Sequence, residues 1–409
     1  MSRIANLTLL SLALTASASS LMAADEPDPI QALMSGKATV ELRTRYERVD
    51  DKASLKTADA LTNRFTLGWR SGSWQGISAF AQFENVAVLS GPRYFVPQTG
   101  YGRSSHAVVA DPPLSQLNQF YIEWKGLKVG RQAINLDNQR FVGSVGWRQN
   151  DQTFTGATYT NKTWIPHTEF TLGHLTQVQN IVGQTKPIKT ELANLHFTFI
   201  PGGHLRVFHY AFDEGDQSLR NPAGLLTRDT SFAHTGARLD GEAWKVLYDL
   251  SFSRQKRYKD ALESATQGTL EAKYRFLGLG YRIAKDHTLM AVEERLEGGF
   301  KTPYATLHAW NGWADRFLAT PAKGLVDHYG QYRGKVGAWS FEASYHAFSA
   351  EQGGAAYGKE TDVLVGYKAK PWLTLLLKAA DYRADAETPT LGTLNKNLKK
   401  LWFQTMLTF

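Results

Sequence analysis

From Ala38 to Phe409 the chain is written in short runs in which apolar and polar residues alternate, and only a strand sends successive side chains to opposite faces. In Val40-Glu41-Leu42-Arg43-Thr44-Arg45-Tyr46-Glu47 the four charges share one face and the apolar or neutral residues share the other. Such a strand meets two solvents. Residues 64–70, 244–253 and 269–276 repeat the pattern, in runs of about 7 to 10 residues, the length of a tilted membrane strand. Connections that alternate between short and long separate them. The short ones are 71–75, 125–126, 200–203, 240–242, a corner at Leu277-Gly278, 334–337 and 370–371. The long ones are 86–115, 135–152, 215–230, 286–325 and 383–397. This plan predicts an all-β fold: one closed antiparallel transmembrane β-barrel of about 18 strands, with short periplasmic turns and long extracellular loops. The segments 153–178 and 325–334 alternate poorly, which fixes the count only to within about two strands.

A soluble all-β fold such as a propeller also alternates. Against it stand aromatic residues at the ends of the apolar faces (Trp69, Trp124, Trp244, Trp339), which suit interfacial girdles, and the terminal strand Leu401–Phe409. Residues 401, 403, 407 and 409 of that strand form one apolar face, and the chain stops on Phe409, an ending that resembles the assembly signal of outer-membrane barrels. Residues 1–24 have the three-part layout of a secretory signal peptide: Arg3, an apolar run from Leu7 to Leu14, then small residues up to Ala24. No later apolar run approaches the roughly 20 residues of a spanning helix. Cysteine is absent, so an exported chain of this size must be held by its fold, and closed hydrogen-bond ladders do that. With 12% aromatic residues, 35 glycines and 14 prolines, and no linker or low-complexity segment, residues 25–409 read as one barrel domain.

If the apolar faces meet lipid, the opposite residues line the lumen. The better strands put about fourteen bases there: Arg43, Arg45, Arg64, Arg70, Lys128, Arg238, Lys245, Lys273, Arg275, Arg282, Arg333, Lys368, Lys378 and Lys400. About nine acids join them: Glu41, Glu47, Glu84, Glu123, Asp249, Glu271, Asp327, Glu342 and Asp362. An excess of about five bases, of the same sign as the formal +8 of the chain, favours anions; ion-pair ladders across neighbouring strands are the alternative use of the same charges.

One stretch breaks the alternation. Gly130 to Phe154 crowds Arg131, Asn135, Asp137, Asn138, Arg140, Arg148, Gln149, Asn150, Asp151 and Gln152 among glycines, with Phe141, Trp147 and Phe154 interleaved. It reads as a long functional loop hung on a strand. By alternation Arg131 shares the face of Leu127 and Val129, which points it at lipid, and a bulge at Gly130 is expected to turn it inward. In the lumen, Arg131, Arg140 and Arg148 suit carboxylates, Asn135, Asn138, Gln149 and Asn150 suit hydroxyls, and Trp147 offers a face for a sugar ring. The opposite reading is a structural plug whose polar groups satisfy its own backbone.

The segments Gly130-Arg131-Gln132, Leu136–Gly143 and Val145–Asn150 resemble the characteristic block of the alginate-export family of outer-membrane porins, and 302–317, TPYATLHAWNGWADRF, resembles a second family block. The resemblance implies an 18-stranded monomeric barrel that exports an anionic polyuronate through an arginine-rich constriction. It makes Arg131, Asn135, Asp137, Asn138, Arg140, Trp147, Arg148, Gln149 and Asn150, with wall bases Arg64, Arg238, Lys273, Arg275, Arg282 and Arg333, the expected pore lining. This chain is shorter than the best-known members and mixes acids with its bases. The expected partners are outer-membrane lipid and lipopolysaccharide, the barrel assembly machinery and an anionic solute, with no nucleic acid and no cofactor. The alternative is a nutrient-uptake porin for small organic acids. Motifs for catalysis are lacking: there is no GxSxG, HExxH or phosphate-binding glycine loop, and the 11 histidines lack metal-ligand spacing. A barrel enzyme would need a Ser or Asp beside an oriented His, for example near His308 or His328.

Overall fold

A computed structural model describes residues 28–213, 231–259, 270–385 and 392–409. The expected signal peptide, the 215–230 loop and part of the 383–397 loop lie outside the described residues. A short helix, α1 (Pro29–Met34), is capped by Asp28, whose Oδ1 accepts from the amides of Ile30 and Gln31 at 2.8 Å. Eighteen long strands follow. They are β1 (Lys37–Asp51), β2 (Ala58–Arg70), β3 (Ile77–Val88), β4 (Leu114–Trp124), β5 (Leu127–Gln132) and β6 (Thr153–Asn161). Next come β7 (Thr168–Gln179), β8 (Thr185–Phe197), β9 (Gly203–Asp213), β10 (Phe232–Ala243), β11 (Val246–Arg257) and β12 (Ala272–Ala284). The last six are β13 (His287–Leu296), β14 (Leu325–Val336), β15 (Trp339–Ser349), β16 (Ala356–Lys370), β17 (Leu373–Ala384) and β18 (Leu398–Thr408).

Each strand pairs antiparallel with its neighbours in sequence, and β18 pairs with both β17 and β1, so the sheet closes as a barrel without an edge. At the seam Val40 and Phe409 exchange backbone hydrogen bonds of 3.0 and 2.9 Å. The terminal strand faces as its sequence predicts: Leu401, Phe403 and Phe409 are outward and exposed, while Trp402 and Gln404 are inward and buried. Trp69, Trp124, Trp244 and Trp339 all sit exposed at the turn end of the barrel, as a girdle requires.

The turns at one end are short. Lys125-Gly126, with φ of 47° and 90°, closes β4–β5, and Trp244-Lys245, at 48° and 71°, closes β10–β11; both turns hold two left-handed residues, the arrangement whose twist matches a tight hairpin. A side chain at Gly126 would meet the Thr160 carbonyl at 2.2 Å.

Several boundaries differ from the sequence reading. Leu277-Gly278 is no corner but the middle of β12, because Tyr274, Phe276 and Gly278 hold one face and Lys273, Arg275, Leu277 and Leu279 the other; the turn is at 285–286. The expected 286–325 loop therefore contains β13 and shrinks to 297–324, and the turn expected at 334–337 is 337–338. Residues 153–178 supply two strands, and the alternation of the second is broken by a bulge at Thr176, opposite Thr155/Gly156. The long-loop end is also less uniform than expected, since 52–57, 180–184 and 350–355 are short.

Candidate functional site

Three loops of the long-loop end, 89–113, 133–152 and 297–324, fold into the barrel. The two blocks singled out in the sequence meet there. Val142 and Tyr304 form a parallel bridge, Gly143 donates its amide to the Tyr304 carbonyl (2.8 Å), and Thr306 donates its amide to Gln139 (3.0 Å). Thr306 Oγ1 also accepts from the Val145 amide at 3.1 Å. Asp111 of the first of these loops accepts from the Gln149 amide at 2.9 Å.

Charged side chains from the wall grip this unit. Arg43 donates to the carbonyls of Gly146 and Arg148 at 3.0 and 3.1 Å. Arg64 bridges Glu84 (2.8 Å) and Asp151 (2.7 Å). Arg148 reaches Glu47 at 3.1 Å and Asp315 at 3.0 Å, and Arg140 reaches Glu294 at 2.7 Å and Asn311 at 3.1 Å. Asp315 also takes Lys400 Nζ at 2.6 Å. Burial would raise the Asp315 carboxyl, yet His308, Lys400 and Arg148 outweigh it and hold the group well below the usual carboxylate range. Burial would likewise lower the Arg148 guanidinium, and Glu47, Asp111 and Asp315 raise it above its ordinary value instead. His308 is pushed well below the ordinary imidazole value by burial, so its neutral ring donates Nδ1–H to Asp315 (2.8 Å) and accepts from Lys378 on Nε2 (2.8 Å). Gly312 lets the chain pass the wall here: a Cβ on it would lie 2.5 Å from the Glu360 carboxylate, which accepts the Ala314 amide at 2.6 Å.

The predicted lining divides accordingly. Arg140, Arg148, Gln149 and Asn150 are buried and spent on the loops themselves; Gln149 donates to Thr62 Oγ1 (2.8 Å) and Asn150 to the Pro112 carbonyl (3.1 Å). Trp147 has no free face for a sugar, because His308 stacks on it with ring centroids 4.9 Å apart while Arg45 and Lys378 each lie 4.1 Å from its centroid. Asn135 accepts from the Ser144 amide at 2.7 Å, and Asp137 accepts from Asn194 and Tyr210. Asn138, Arg238 and Arg333 do line a lumen cavity of about 270 Å³, together with Trp310, Trp313, Tyr329 and Gln331. Arg238 is bidentate to Asp249 at 2.8 Å, Arg333 is largely exposed beside Glu342 (3.2 Å), and Arg282 pairs with Glu242 at the turn end.

Three expected pore residues are not in the pore. Arg131 stays on the outer face, in register with half-exposed Phe120, because neither flanking pairing slips at Gly130; the register shift lies one pairing further on, between β6 and β7. Its guanidinium is satisfied by Gln179 Oε1 (2.9 Å) and the Leu117 carbonyl (3.3 Å). Lys273 and Arg275 also point outward, since β12 buries Tyr274 and Phe276. Lys245 lies in a turn, Glu271 precedes β12, and sequence reading missed the inward Arg206, Asp240, Glu242, Glu294 and Glu360. With these changes the wall holds roughly a dozen of each sign, the paired arrangement a lumen wall readily takes. Asp111 was also missed, and His308 and Asp315, both inside the second block, were given no part in holding the first; the acids near the blocks' arginines were the available signal.

One cluster meets the distance test for a catalytic triad: His346 Nε2 lies 3.1 Å from Ser344 Oγ and Nδ1 lies 2.9 Å from Asp327. Nε2 also faces Asp362 at 3.7 Å, so both ring nitrogens look at carboxylates. That makes the ring a bridge between two acids, not a base for Ser344.

A closed barrel of 18 strands, with its lumen narrowed by inward loops and its outside apolar, is an outer-membrane β-barrel of the porin type. A family model described as alginate export matches residues 90–285, just under half of the chain, and this upholds the resemblance carried by the first block; the second block lies beyond the match. Over those residues the chain is similar to the alginate-export family. No curated protein matches it. Among solved structures it is similar to OpdL of Pseudomonas aeruginosa (15% identity, TM-score 0.66, covering 92% of this chain and 99% of that one). It is also similar to OccAB4 of Acinetobacter baumannii (12%, 0.63, 93% and 100%). OpdK of Pseudomonas aeruginosa, solved with vanillate, compares at 13%, 0.64, 92% and 100%.

Proposed function

We propose that the protein is a passive outer-membrane channel that admits small hydrophilic anions, exported through an N-terminal signal peptide, residues 1–24, that is then cleaved, and working as a monomer without catalysis. The constriction carries this reading. Loops 133–152 and 297–324 are bound to each other and to the wall, and beside them lies a cavity of about 270 Å³ with Arg238, Arg333 and Asn138 on its surface and Trp310 and Trp313 as its apolar part. Guanidinium and aromatic groups side by side suit a compact carboxylate. OpdK with vanillate offers an analogous ligand on the same fold, as support by analogy alone. Export of a polyuronate is the second reading, favoured by the family match, and it requires the two blocks to move apart for a polymer to thread.

Planar-bilayer recordings separate the two. Small aromatic or aliphatic acids should interrupt the current while uronate oligomers of four or more sugars should not. Block by the oligomers, with none by small acids, would reverse the assignment.

A further inference from the structure

The outward bases on β11, β12 and β13 have no role in a channel. Arg254 lies directly opposite Lys273 in the β11–β12 pairing, and Arg275 directly opposite Arg295 in the β12–β13 pairing. Directly opposed side chains have Cβ atoms about 5 Å apart, where like charges repel. Lys256 extends the row on β11. Arg254 has Glu271 at 3.4 Å and Arg295 has Glu293 at 3.4 Å, but Lys256, Lys273 and Arg275 have no side-chain partner among the described residues. Lys256, Lys273 and Arg275 thus form a patch of three bases beside two already paired ones, and an external anion would complete it.

The position of the row says which anion. Going down β12 from Arg275, the outward residues are Leu277, Leu279, Tyr281 and Ile283, all exposed, and Phe252 and Leu250 run parallel on β11. The bases therefore stand on the upper edge of the lipid-facing belt, at the long-loop end, whereas the turn end carries the exposed tryptophans. A cation at this level costs little in the membrane, about 0–1 kcal/mol, and meets the headgroups of the outer leaflet. We propose that the β11–β13 face is a binding site for a phosphorylated glycolipid of the outer leaflet, its acyl chains on Leu277 and Leu279 and its phosphates on Lys273, Arg275 and Lys256.

The test uses the folded barrel in detergent, offered diphosphorylated lipid A, with retained lipid counted by native mass spectrometry. Wild type should keep the lipid, and Lys273→Gln/Arg275→Gln should bind it roughly thirtyfold more weakly, since each basic residue at an anionic surface is worth about a fivefold change. Lys125→Gln, which removes a cation at the opposite rim, should match wild type. Wild type should also lose dephosphorylated lipid A, a comparison that does not depend on any variant folding. Equal retention by the double variant, by the dephosphorylated lipid, or of phosphatidylglycerol in place of lipid A would overturn the proposal.

Discussion

Arg148 illustrates how little of a buried guanidinium is left over for a solute. Its three acidic neighbours, Glu47, Asp111 and Asp315, lie within 3.7 Å, and its side chain is nearly inaccessible. Removing one member of a buried charge set leaves the others uncompensated, at a cost of about 3 kcal/mol. Arg148→Met should therefore loosen the two loops and give larger, noisier single-channel currents, while Arg131→Gln, on the outer face, should leave conductance and selectivity at wild-type values. Quiet, normal currents from Arg148→Met would mean the loops do not depend on this group. The same network should respond to acid. His308 is held neutral, so its contribution is complete above the ordinary imidazole value of 6.5 and is lost as pH falls below it. Asp315, also depressed, contributes above its ordinary 3.8 and fails only as pH drops through its own lower value. Between pH 7.5 and 5 His308 therefore adds to the loss: loop openings should become more frequent, and His308→Gln should weaken that dependence. Gating that ignores pH in the wild type would refute this.

Strands, unlike loops, announce their own faces. The terminal strand β18 closes the ladder on both sides, so Phe409→Ser, beside Trp372 at a ring distance of 5.9 Å, should lower the assembled, heat-modifiable fraction several-fold while leaving the currents of the barrels that form unchanged. Equal assembly of variant and wild type, measured by gel mobility before and after heating, would contradict that role. The same local logic explains what could be read in advance. A strand's alternation is visible within ten residues, so the barrel, its closure and the inward face of β1 were legible. Leu277-Gly278 was mistaken for a corner because a glycine inside a strand looks like a turn until its neighbours are paired. The parity error at Lys273 and Arg275 followed from the same slip. Arg131 was misplaced by assuming that a lipid-side arginine must escape inward, when Gln179 from another strand could satisfy it where it stood. The contacts of Val142 with Tyr304, or Arg148 with Asp315, join segments some 160 residues apart, and nothing local records them.

For the whole molecule the question is how a lumen with balanced walls can still choose anions. The chain's formal +8 does not settle it, because much of the unpaired positive charge lies outside the pore, as on β12. What remains is position. Lys378, Lys400, Arg43, Arg45 and Arg64 occupy four contiguous strands, β17, β18, β1 and β2, while Glu294, Asp327, Glu360 and Asp362 occupy β13, β14 and β16. Loop acids Asp151 and Asp315 already neutralise part of the first group. On the cavity itself Arg238 is matched by Asp249, whereas the Arg333 side chain is 60% exposed against 22% for its partner Glu342, so Arg333 is the charge a passing ion feels most. Reversal potentials across a tenfold salt gradient should show a modest anion preference near 0.1 M that fades toward 1 M, where the Debye length falls from about 10 Å to about 3 Å. Arg238→Gln/Arg333→Gln should lower the preference more than Arg43→Gln/Arg45→Gln, whose charges face Glu41, Glu47 and Asp111 and lie under the loops. A cation-selective wild type, or a larger effect from the pair at 43 and 45, would place the selectivity filter under the loops and not at the cavity.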